Sequence, residues 1–187
     1  MRKIVVLMSV SLDGFMAGAG DDLSWHRVDE ELHSHFNDVL RGMGAFLGGR
    51  RTWELMASYW PTADEDPTSA GPEVEFAGIW RDMPKVVYSR TLQSAGWNST
   101  IVREVDPEAV RAMKAEDGGD LALGGAELLA AFRAHDLVDE YRLYVNPVVL
   151  GGGRPLFAPS DLPQDLRLLE TRTFGTGVVL LRYERLR

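Results

Sequence analysis

The stretch LGGRRTWELM, residues 47–56, ends an apolar run on a glycine pair and continues with residues that favour a helix. Glycine has no Cβ, so a ligand can come close to the backbone at such a strand-to-helix junction. The unpaired N–H groups at the helix start attract a negative group, and Arg50, Arg51 and Thr52 stand where that group would lie. Because arginines in a first turn are unfavourable against the helix dipole, the pattern favours a bound phosphate over two solvated side chains.

A second glycine pair, Gly124 and Gly125 in LALGGAELLAAF, residues 121–132, stands at the same kind of junction. It lacks the G-x-G-x-x-G spacing of the dinucleotide fingerprint, so tight strand–helix packing and a close approach to a pyrophosphate both stay open for it. Ser89 and Arg90, in SRTL, follow a third apolar run, where serine is also ordinary turn chemistry. Ligands of open α/β sheets bind at the carboxyl ends of strands. Together the three segments therefore predict a clamp for a phosphate-bearing molecule, a nucleotide.

Strand-like and helix-like segments alternate along most of the chain, and strand-like segments pair at its end. The predicted strands are residues 3–10, 45–48, 85–88, 100–103, 121–123 and 141–149, followed by a hairpin around residues 175–177; the predicted helices begin at Asp29, Arg50, Pro107 and Ala126. Four prolines in residues 58–84 predict an irregular surface excursion with one helical turn before Trp80, and GGGR, residues 151–154, predicts a flexible turn. The alternation predicts one α/β domain over residues 1–187, with a sheet that is first parallel and then antiparallel at its edge.

The totals exclude several classes of protein. With 187 residues, of which 45% are hydrophobic and 26% charged, the chain is long enough to bury a core of its own. Its net charge of −8 argues against a nucleic-acid binder. The chain has no cysteine, which excludes disulfides and thiolate metal sites and fits the cytoplasm, and the spacing of its histidines predicts no metal site. No apolar stretch approaches the length of a membrane span.

Three further positions are candidates for catalysis or substrate binding. Asp13, before Gly14, is first of all a turn residue, with a polar anchor at the mouth of a pocket as the alternative. Glu31 and His35 lie four residues apart on the first long helix, where pairing in solvent competes with facing a substrate. Trp25 and Phe36 are candidates for the core or for the wall of a pocket.

These segments together resemble the dihydrofolate reductase superfamily. The resemblance is closest to the bacterial branch related to the reductase domain of the riboflavin-biosynthesis bifunctional protein, and it runs nearly end to end. It is carried by SLDG (residues 11–14), GAGDDLSW (18–25), GRRTW (49–53), YSRTL (88–92), LGGAELL (123–129) and LVDEYRLYVNPVVLGGGRPLF (137–157). Among these, GAGDDLSW resembles the mobile loop that closes over the nicotinamide.

The resemblance implies a three-layer dihydrofolate reductase-like α/β fold with a mostly parallel central sheet, antiparallel C-terminal strands and flanking helices. It also implies a homodimer and NADPH as the cofactor, with the 2′-phosphate read by Arg50, Arg51 and Arg90. The residues that it implies for cofactor binding are Met16, Ala17, Gly49, Arg50, Arg51, Thr52, Ser89, Arg90, Gly124, Gly125, Ala126, Glu127 and Leu128.

The implied reaction is hydride transfer to a small pterin-, pyrimidine- or imine-like acceptor, with Trp25 and Phe36 at the substrate and Asp13, Glu31 or a water as proton source. True dihydrofolate reductases carry an acid on the first long helix; the matched position falls near Leu32, about 100° around the helix from Glu31. Without cysteines the chain cannot hold the zinc of a deaminase. Two alternatives stay open: a nucleotide-binding module without turnover, and a scaffold that dimerises through residues 141–157.

Overall fold

The computed structural model describes residues 1–157 and 163–187. The strands are β1 (Ile4–Ser11), β2 (Phe15–Ala17), β3 (Met43–Gly49), β4 (Lys85–Tyr88), β5 (Ser99–Val102), β6 (Asp120–Gly124), β7 (Glu140–Asn146), β8 (Arg154–Pro155), β9 (Leu166–Thr173) and β10 (Val179–Arg185). The α-helices are α1 (Glu30–Arg41), α2 (Arg50–Ala57), α3 (Pro72–Asp82), α4 (Pro107–Ala115) and α5 (Ala126–Ala134), and 3₁₀ turns cover Ala19–Asp21 and Trp60–Glu65. Among the helices in this part of the chain, none is long and apolar enough to cross a membrane.

Eight of the strands form one sheet in the order β5-β4-β3-β6-β1-β7-β10-β9. Every pairing from β5 to β7 is parallel, whereas β10 pairs antiparallel with both β7 and β9. The short strands β2 and β8 pair antiparallel in a second sheet. The predicted fold class, a mostly parallel sheet with antiparallel C-terminal strands, is therefore confirmed; the single-domain assignment stays a prediction.

Helices cover both faces of the parallel part because its strands are apolar on both sides. Successive side chains of a strand point to opposite faces: Ile4 and Val6 of β1 join a core with Leu129 and Phe132 of α5. Val5, between them, joins a second core with residues of α1 and α3. The sheet thus lies between a layer of α4 and α5 and a layer of α1 and α3, which is the three-layer arrangement expected.

The prediction of an irregular excursion over residues 58–84 is wrong. The segment contains α3, an eleven-residue helix whose Phe76 and Trp80 are buried in the second core. Pro72 occupies the first helical position, where its missing N–H costs nothing, so this proline starts a helix rather than breaking one. Asn37 of α1, fully buried, donates hydrogen bonds to the Pro72 carbonyl and to Glu75, both at 2.8 Å, and thereby fixes the start of α3.

Smaller boundary differences follow from contacts distant in sequence. The helix predicted to begin at Asp29 begins at Glu30, with Asp29 as its N-cap. The predicted strand 141–149 runs instead over Glu140–Asn146. Part of the GGGR turn is strand, because Arg154 pairs with Ala17 in the β2–β8 ladder.

A buried carboxylate joins the strands at the amino-terminal end of β7. The Glu140 side chain is 0% exposed and forms ion pairs with Lys3, which directly precedes β1, with Arg142 of β7 and with Arg182 of β10, at 3.3, 2.7 and 2.6 Å. Burial raises the pKa of Glu140, but the guanidinium groups of Arg182 and Arg142 outweigh it and lower that pKa to about 2. The carboxylate is therefore ionised and links the parallel part of the sheet to its antiparallel edge.

Candidate functional site

A cavity of about 450 Å³ opens at the carboxyl ends of β3, β4 and β6, which are neighbours in the sheet. Most of the residues predicted to bind the cofactor line it together. They are Met16, Gly49, Arg50, Arg51, Thr52, Ser89, Arg90, Gly125, Ala126, Glu127 and Leu128. Of the remaining two, Gly124 lines an adjoining cavity and Ala17 lies in β2 beside Met16. The convergence predicted for Arg50 and Gly125 is thus observed.

The two glycine junctions leave room for a ligand against the backbone. A Cβ built on Gly49 has no atom within 4 Å, so this side of the junction faces open space. Gly125 has a φ of +97°, which L-residues rarely adopt, and a Cβ there would stand 3.1 Å from the Thr52 hydroxyl oxygen. Any side chain at position 125 would therefore crowd the point where the two junctions meet.

Both helices that begin at this cavity present free N–H groups. In the described part of the chain, the starts of α2 and α5 receive no side-chain cap, whereas Asp29 caps α1 and Asp106 caps α4. The three arginines around these helix starts are exposed, and Arg51 and Arg90 form no ion pair with any described residue. Among the described residues, Arg50 forms an ion pair only with Glu54 of its own helix, at 3.5 Å. Free amides beside free guanidinium groups are the donor set that phosphate oxygens require.

Ser89 shapes the third strand end as well as lining it. Its hydroxyl oxygen accepts hydrogen bonds from the amides of Thr91 and Leu92, at 3.3 and 2.9 Å. Arg103 donates to the carbonyls of Ser89 and Leu92, at 2.9 and 2.7 Å. The turn is therefore stabilised by its own Ser89 and by Arg103, and Arg90 lies exposed within it.

The pair of β2 and β8 forms the remaining wall, and it supplies residues that sequence reasoning missed. Met16 of β2 and Arg154 of β8 line the cavity, and Arg154 forms an ion pair with Asp21. Tyr88 and Thr91 line it too; both belong to the segment YSRTL that carries the family resemblance, although neither was singled out as a cofactor-binding residue. Ala131 also lines it. For Arg154, the arginine after three glycines in GGGR was an available signal; Ala131 gave none, since a helix alanine is a typical core residue.

Gly153 makes this wall possible, and substituting it should be costly. Its φ is +129°, and a Cβ there would lie 2.2 Å from the Ala17 carbonyl oxygen. We expect Gly153→Ala to lower the free energy of unfolding by about 2 kcal/mol, measured by urea denaturation. Gly152→Ala is the matched control, because a Cβ on Gly152 meets nothing within 4 Å; equal losses in the two variants would contradict the steric argument.

A second cavity, of about 610 Å³, lies on the sheet face that α1 and α3 cover. Thr52 lines both cavities, so they meet at the start of α2. The wall of this second cavity is rich in aromatic rings, which include Phe36, Phe46, Trp53, Trp60, Phe76 and Trp80. Its charged or titratable side chains other than a tyrosine are His26, His33, Glu73 and Lys85.

These groups differ in whether their polar atoms are already hydrogen-bonded within the protein or are available to a ligand. Burial lowers the pKa of His26 and of His33, so both imidazoles are uncharged at neutral pH. His26 Nε2 is buried and has no hydrogen-bond partner among the described residues. Lys85 is committed elsewhere: its ammonium donates to the carbonyls of Met83 and Trp97, both at 2.8 Å, and lies 4.3 Å from the centre of the Trp80 ring.

The sequence profile of the RibD C-terminal domain matches residues 2–180. The chain belongs to this family. It is 35% identical to the Bacillus subtilis protein YyaP over 97% of this chain and 94% of YyaP, and 29% identical to YwjB of the same organism over 96% of each chain. The family lies within the dihydrofolate reductase-like superfamily, as the sequence motifs indicated.

Solved structures share the fold of this RibD C-terminal domain. A putative riboflavin biosynthesis protein from Shewanella sp. PV-4 superposes with a TM-score of 0.75 at 21% identity, covering 100% of both chains. A pyrimidine reductase-like protein from Corynebacterium diphtheriae gives a TM-score of 0.66 at 14% identity, covering 100% of this chain and 92% of its own. A Thermotoga maritima diaminohydroxyphosphoribosylaminopyrimidine deaminase/5-amino-6-(5-phosphoribosylamino)uracil reductase gives 0.66 at 16% identity, with 99% of this chain matched to 57% of that one.

The two residues predicted to be catalytic in this RibD C-terminal domain do not line either cavity. Asp13 binds the Ser11 hydroxyl at 2.7 Å and the amides of Leu150 and Gly151 at 3.1 and 2.7 Å. The Ser11 hydroxyl, helped by these amides, lowers the pKa of Asp13 to about 2, so the carboxylate carries no proton at neutral pH. Asp13 thus joins the turn after β1 to the loop after β7, and its assignment as a proton donor has no geometric support.

Glu31 faces the antiparallel edge of the sheet. It accepts hydrogen bonds from the Gly175 amide at 3.1 Å and from Arg172 at 3.0 Å. Both contacts lower the pKa of Glu31, and the Gly175 amide has the larger effect. The predicted pairing of Glu31 with His35 is replaced by this pairing with Arg172, because His35 Nε2 is bonded to the Tyr144 hydroxyl at 3.0 Å. Like Asp13, Glu31 is ionised and outside the cavities.

Of the two residues predicted to bind the substrate, Phe36 lines the 610 Å³ cavity and Trp25 lines neither cavity. The Trp25 indole donates to the Asp22 carbonyl at 3.0 Å and packs edge-on against His26, with ring centres 4.2 Å apart. Trp25 therefore packs against His26, which lines the cavity, and does not line the cavity itself.

Proposed function

We propose that this protein is an NADPH-dependent reductase that transfers hydride to a small pterin-, pyrimidine- or imine-like acceptor. One observation carries the proposal: a cationic cavity with two free helix starts meets a large aromatic cavity at Thr52. Membership of the RibD C-terminal domain family supports a reductase role, and the reductase named among the structural relatives makes the same chemistry the first one to test.

The residues present fit the parts of NADPH. Arg50, Arg51 and Arg90 offer guanidinium groups to the 2′-phosphate, which distinguishes NADPH from NADH. The amides at the start of α2 and α5, bare of side-chain caps in the described chain, offer donors to the pyrophosphate. Gly125 keeps the backbone accessible between them. When bound, NADPH supplies the hydride.

The aromatic cavity provides the conditions that hydride transfer requires. Its rings hold a flat acceptor and keep water away, so that orientation and a dry environment account for much of the rate. The unpartnered Nε2 of His26 offers one hydrogen bond to the acceptor or to the carboxamide of the cofactor. The two cavities meet at Thr52, so a cofactor bound in one and an acceptor bound in the other lie next to each other.

A titration and a turnover assay test the proposal. Fluorescence titration of the pure protein should give a Kd for NADPH at least about tenfold below that for NADH, the difference expected from one charge-assisted contact. Loss of absorbance at 340 nm is then followed with NADPH and a panel of pterins, ribityl-pyrimidines and cyclic imines. Equal affinity for the two nucleotides would remove the arginines from the proposed role.

Nucleotide binding without turnover is the second candidate. The observation that favours it is the placement of Asp13 and Glu31 outside both cavities, which leaves neither of them as a proton source. NADPH binding combined with no oxidation across the whole acceptor panel would select this candidate. Oxidation with any acceptor selects the reductase.

We also propose that the protein forms a homodimer through the antiparallel edge of its sheet. Leu168 of β9 lies opposite Tyr183 of β10 and is 51% exposed, and Leu166 and Leu169 of the same strand are 38% and 39% exposed. Exposed leucines in an edge strand favour contact with another chain. Light scattering should give twice the chain mass of 20.8 kDa; the monomer mass at micromolar concentration would contradict the dimer.

The cytoplasmic location stays a prediction.

A further inference from the structure

Among the described residues that line the aromatic cavity, the only carboxylate belongs to Glu73 of α3, the helix that sequence reasoning missed. Glu73 lies in the first turn of α3 and is half-buried. One carboxylate oxygen accepts a hydrogen bond from the Tyr59 hydroxyl. The other accepts none from the described residues, so it is available to a ligand.

Aromatic rings line the same cavity as this carboxylate. Trp60 and Phe76 meet edge-on with ring centres 4.3 Å apart, and His33 lies 5.7 Å from each of them. Because burial lowers the pKa of His33, the imidazole is an uncharged part of the wall at neutral pH. Aromatic faces beside a carboxylate attract a cation, since ring quadrupoles and the negative charge act in the same direction.

The same wall offers no free cation to a phosphate. Arginine is absent from the lining among the described residues. The one lysine, Lys85, has its three N–H donors directed at two carbonyl groups and the Trp80 ring. A phosphate in this cavity would meet a carboxylate and desolvating aromatic rings without a free cation, which is unfavourable.

We propose that the hydride acceptor is a flat, phosphate-free heterocycle with a cationic C=N group, held by Glu73 and the rings around it. The assignment rests on the proposed function for the source of the hydride. Addition of hydride to the carbon of a C=N⁺ group forms the new C–H bond, while the C=N π pair becomes the lone pair of the product amine. The positive charge passes to the oxidised nicotinamide, and no proton is taken up. Such an acceptor needs no acid in the cavity, in agreement with the positions of Asp13 and Glu31.

Binding of flat probes in the absence of NADPH tests the cavity without relying on turnover. We compare N-methylisoquinolinium, a flat cation, with isoquinoline, its neutral counterpart at pH 7.5, by quenching of the fluorescence of Trp53, Trp60 and Trp80 in the cavity wall. The cation should bind about tenfold more tightly than the neutral ring, the preference expected from one cation–π and carboxylate site. Equal affinity for the two probes would overturn the proposal.

Variants then assign the preference to Glu73. Glu73→Gln keeps the shape and the hydrogen bond from Tyr59 but removes the charge, and it should lose the roughly tenfold preference. Tyr59→Phe keeps the carboxylate and should retain the preference, as should Glu104→Gln, which changes an exposed carboxylate outside both cavities. Circular dichroism verifies that each variant is folded. A preference that survives in Glu73→Gln would overturn the assignment.

A third arm separates this inference from the proposed function. NADPH oxidation is followed with N-methyl-3,4-dihydroisoquinolinium, a reducible cation, and with 5-amino-6-(5-phosphoribosylamino)uracil, a phosphorylated acceptor. Faster oxidation with the cation supports the inference, and faster oxidation with the phosphorylated compound overturns it while leaving the reductase intact. Failure of NADPH itself to bind, with the cation preference retained, would instead overturn the proposed reductase.

Discussion

Glu140→Gln is expected to lower the free energy of unfolding by about 3 kcal/mol, because it leaves three cations around a buried neutral amide. The Glu140 side chain is 0% exposed, and its partners are Lys3 just before β1, Arg142 of β7 and Arg182 of β10. Urea denaturation followed by circular dichroism gives the difference. Glu170→Gln is the matched control: Glu170 is 45% exposed and meets Arg182 at 3.4 Å, so its loss should cost about 0.5 kcal/mol or less.

The same carboxylate predicts a pH dependence of stability. Because the guanidinium groups of Arg182 and Arg142 overcome the effect of burial, the pKa of Glu140 is about 2 in the folded protein, against an ordinary value of 4.5. A depressed pKa means that the folded state binds the proton less readily than the unfolded state. The stabilisation is therefore complete above about pH 4.5 and is lost as the pH falls toward 2. Glu140→Gln should lack this part of the acid dependence; an unchanged acid profile would contradict the buried pairing.

The parts of the site that could be predicted from sequence are those encoded locally. At Gly49 and at Gly125 the strand end, the glycine and the helix start follow one another directly, so the residues that each junction contributes to the 450 Å³ cavity are neighbours in sequence. Their convergence follows from the rule that parallel strands end at one edge. The order β4-β3-β6 in the sheet then brings the three segments side by side.

The two predicted catalytic residues are held outside both cavities by contacts with residues distant in sequence. Asp13 binds the amides of Leu150 and Gly151, 137 and 138 residues away, and Glu31 binds Arg172, 141 residues away. No local pattern distinguishes such a carboxylate from one that faces a substrate. Glu73 was missed for another reason: prolines were taken as breakers, although Pro72 at a first helical position and the four-residue spacing of Phe76 and Trp80 were signals of a helix.

Arg51→Ala combined with Arg90→Ala is expected to raise the Kd for NADPH about 100-fold, about tenfold for each lost charge-assisted contact. Both side chains line the 450 Å³ cavity, and neither forms an ion pair within the described chain, so their removal leaves no buried partner unpaired. The Kd for NADH should change little, because NADH lacks the 2′-phosphate. Fluorescence titration of both nucleotides measures the effect, with Arg111→Ala on the exposed face of α4 as the control.

The two titrations together separate the possible roles of the arginines. Weakening of NADPH alone supports contact with the 2′-phosphate, and raising the salt concentration should then weaken NADPH more than NADH in the parent protein. Equal weakening of both nucleotides would move the arginines to the pyrophosphate that the two nucleotides share. In that case the uncapped starts of α2 and α5 would no longer hold the pyrophosphate alone. Selectivity for NADPH would then have to come from another residue of the cavity, and Arg50 of α2 and Arg154 of β8 are the cations that remain in its described wall.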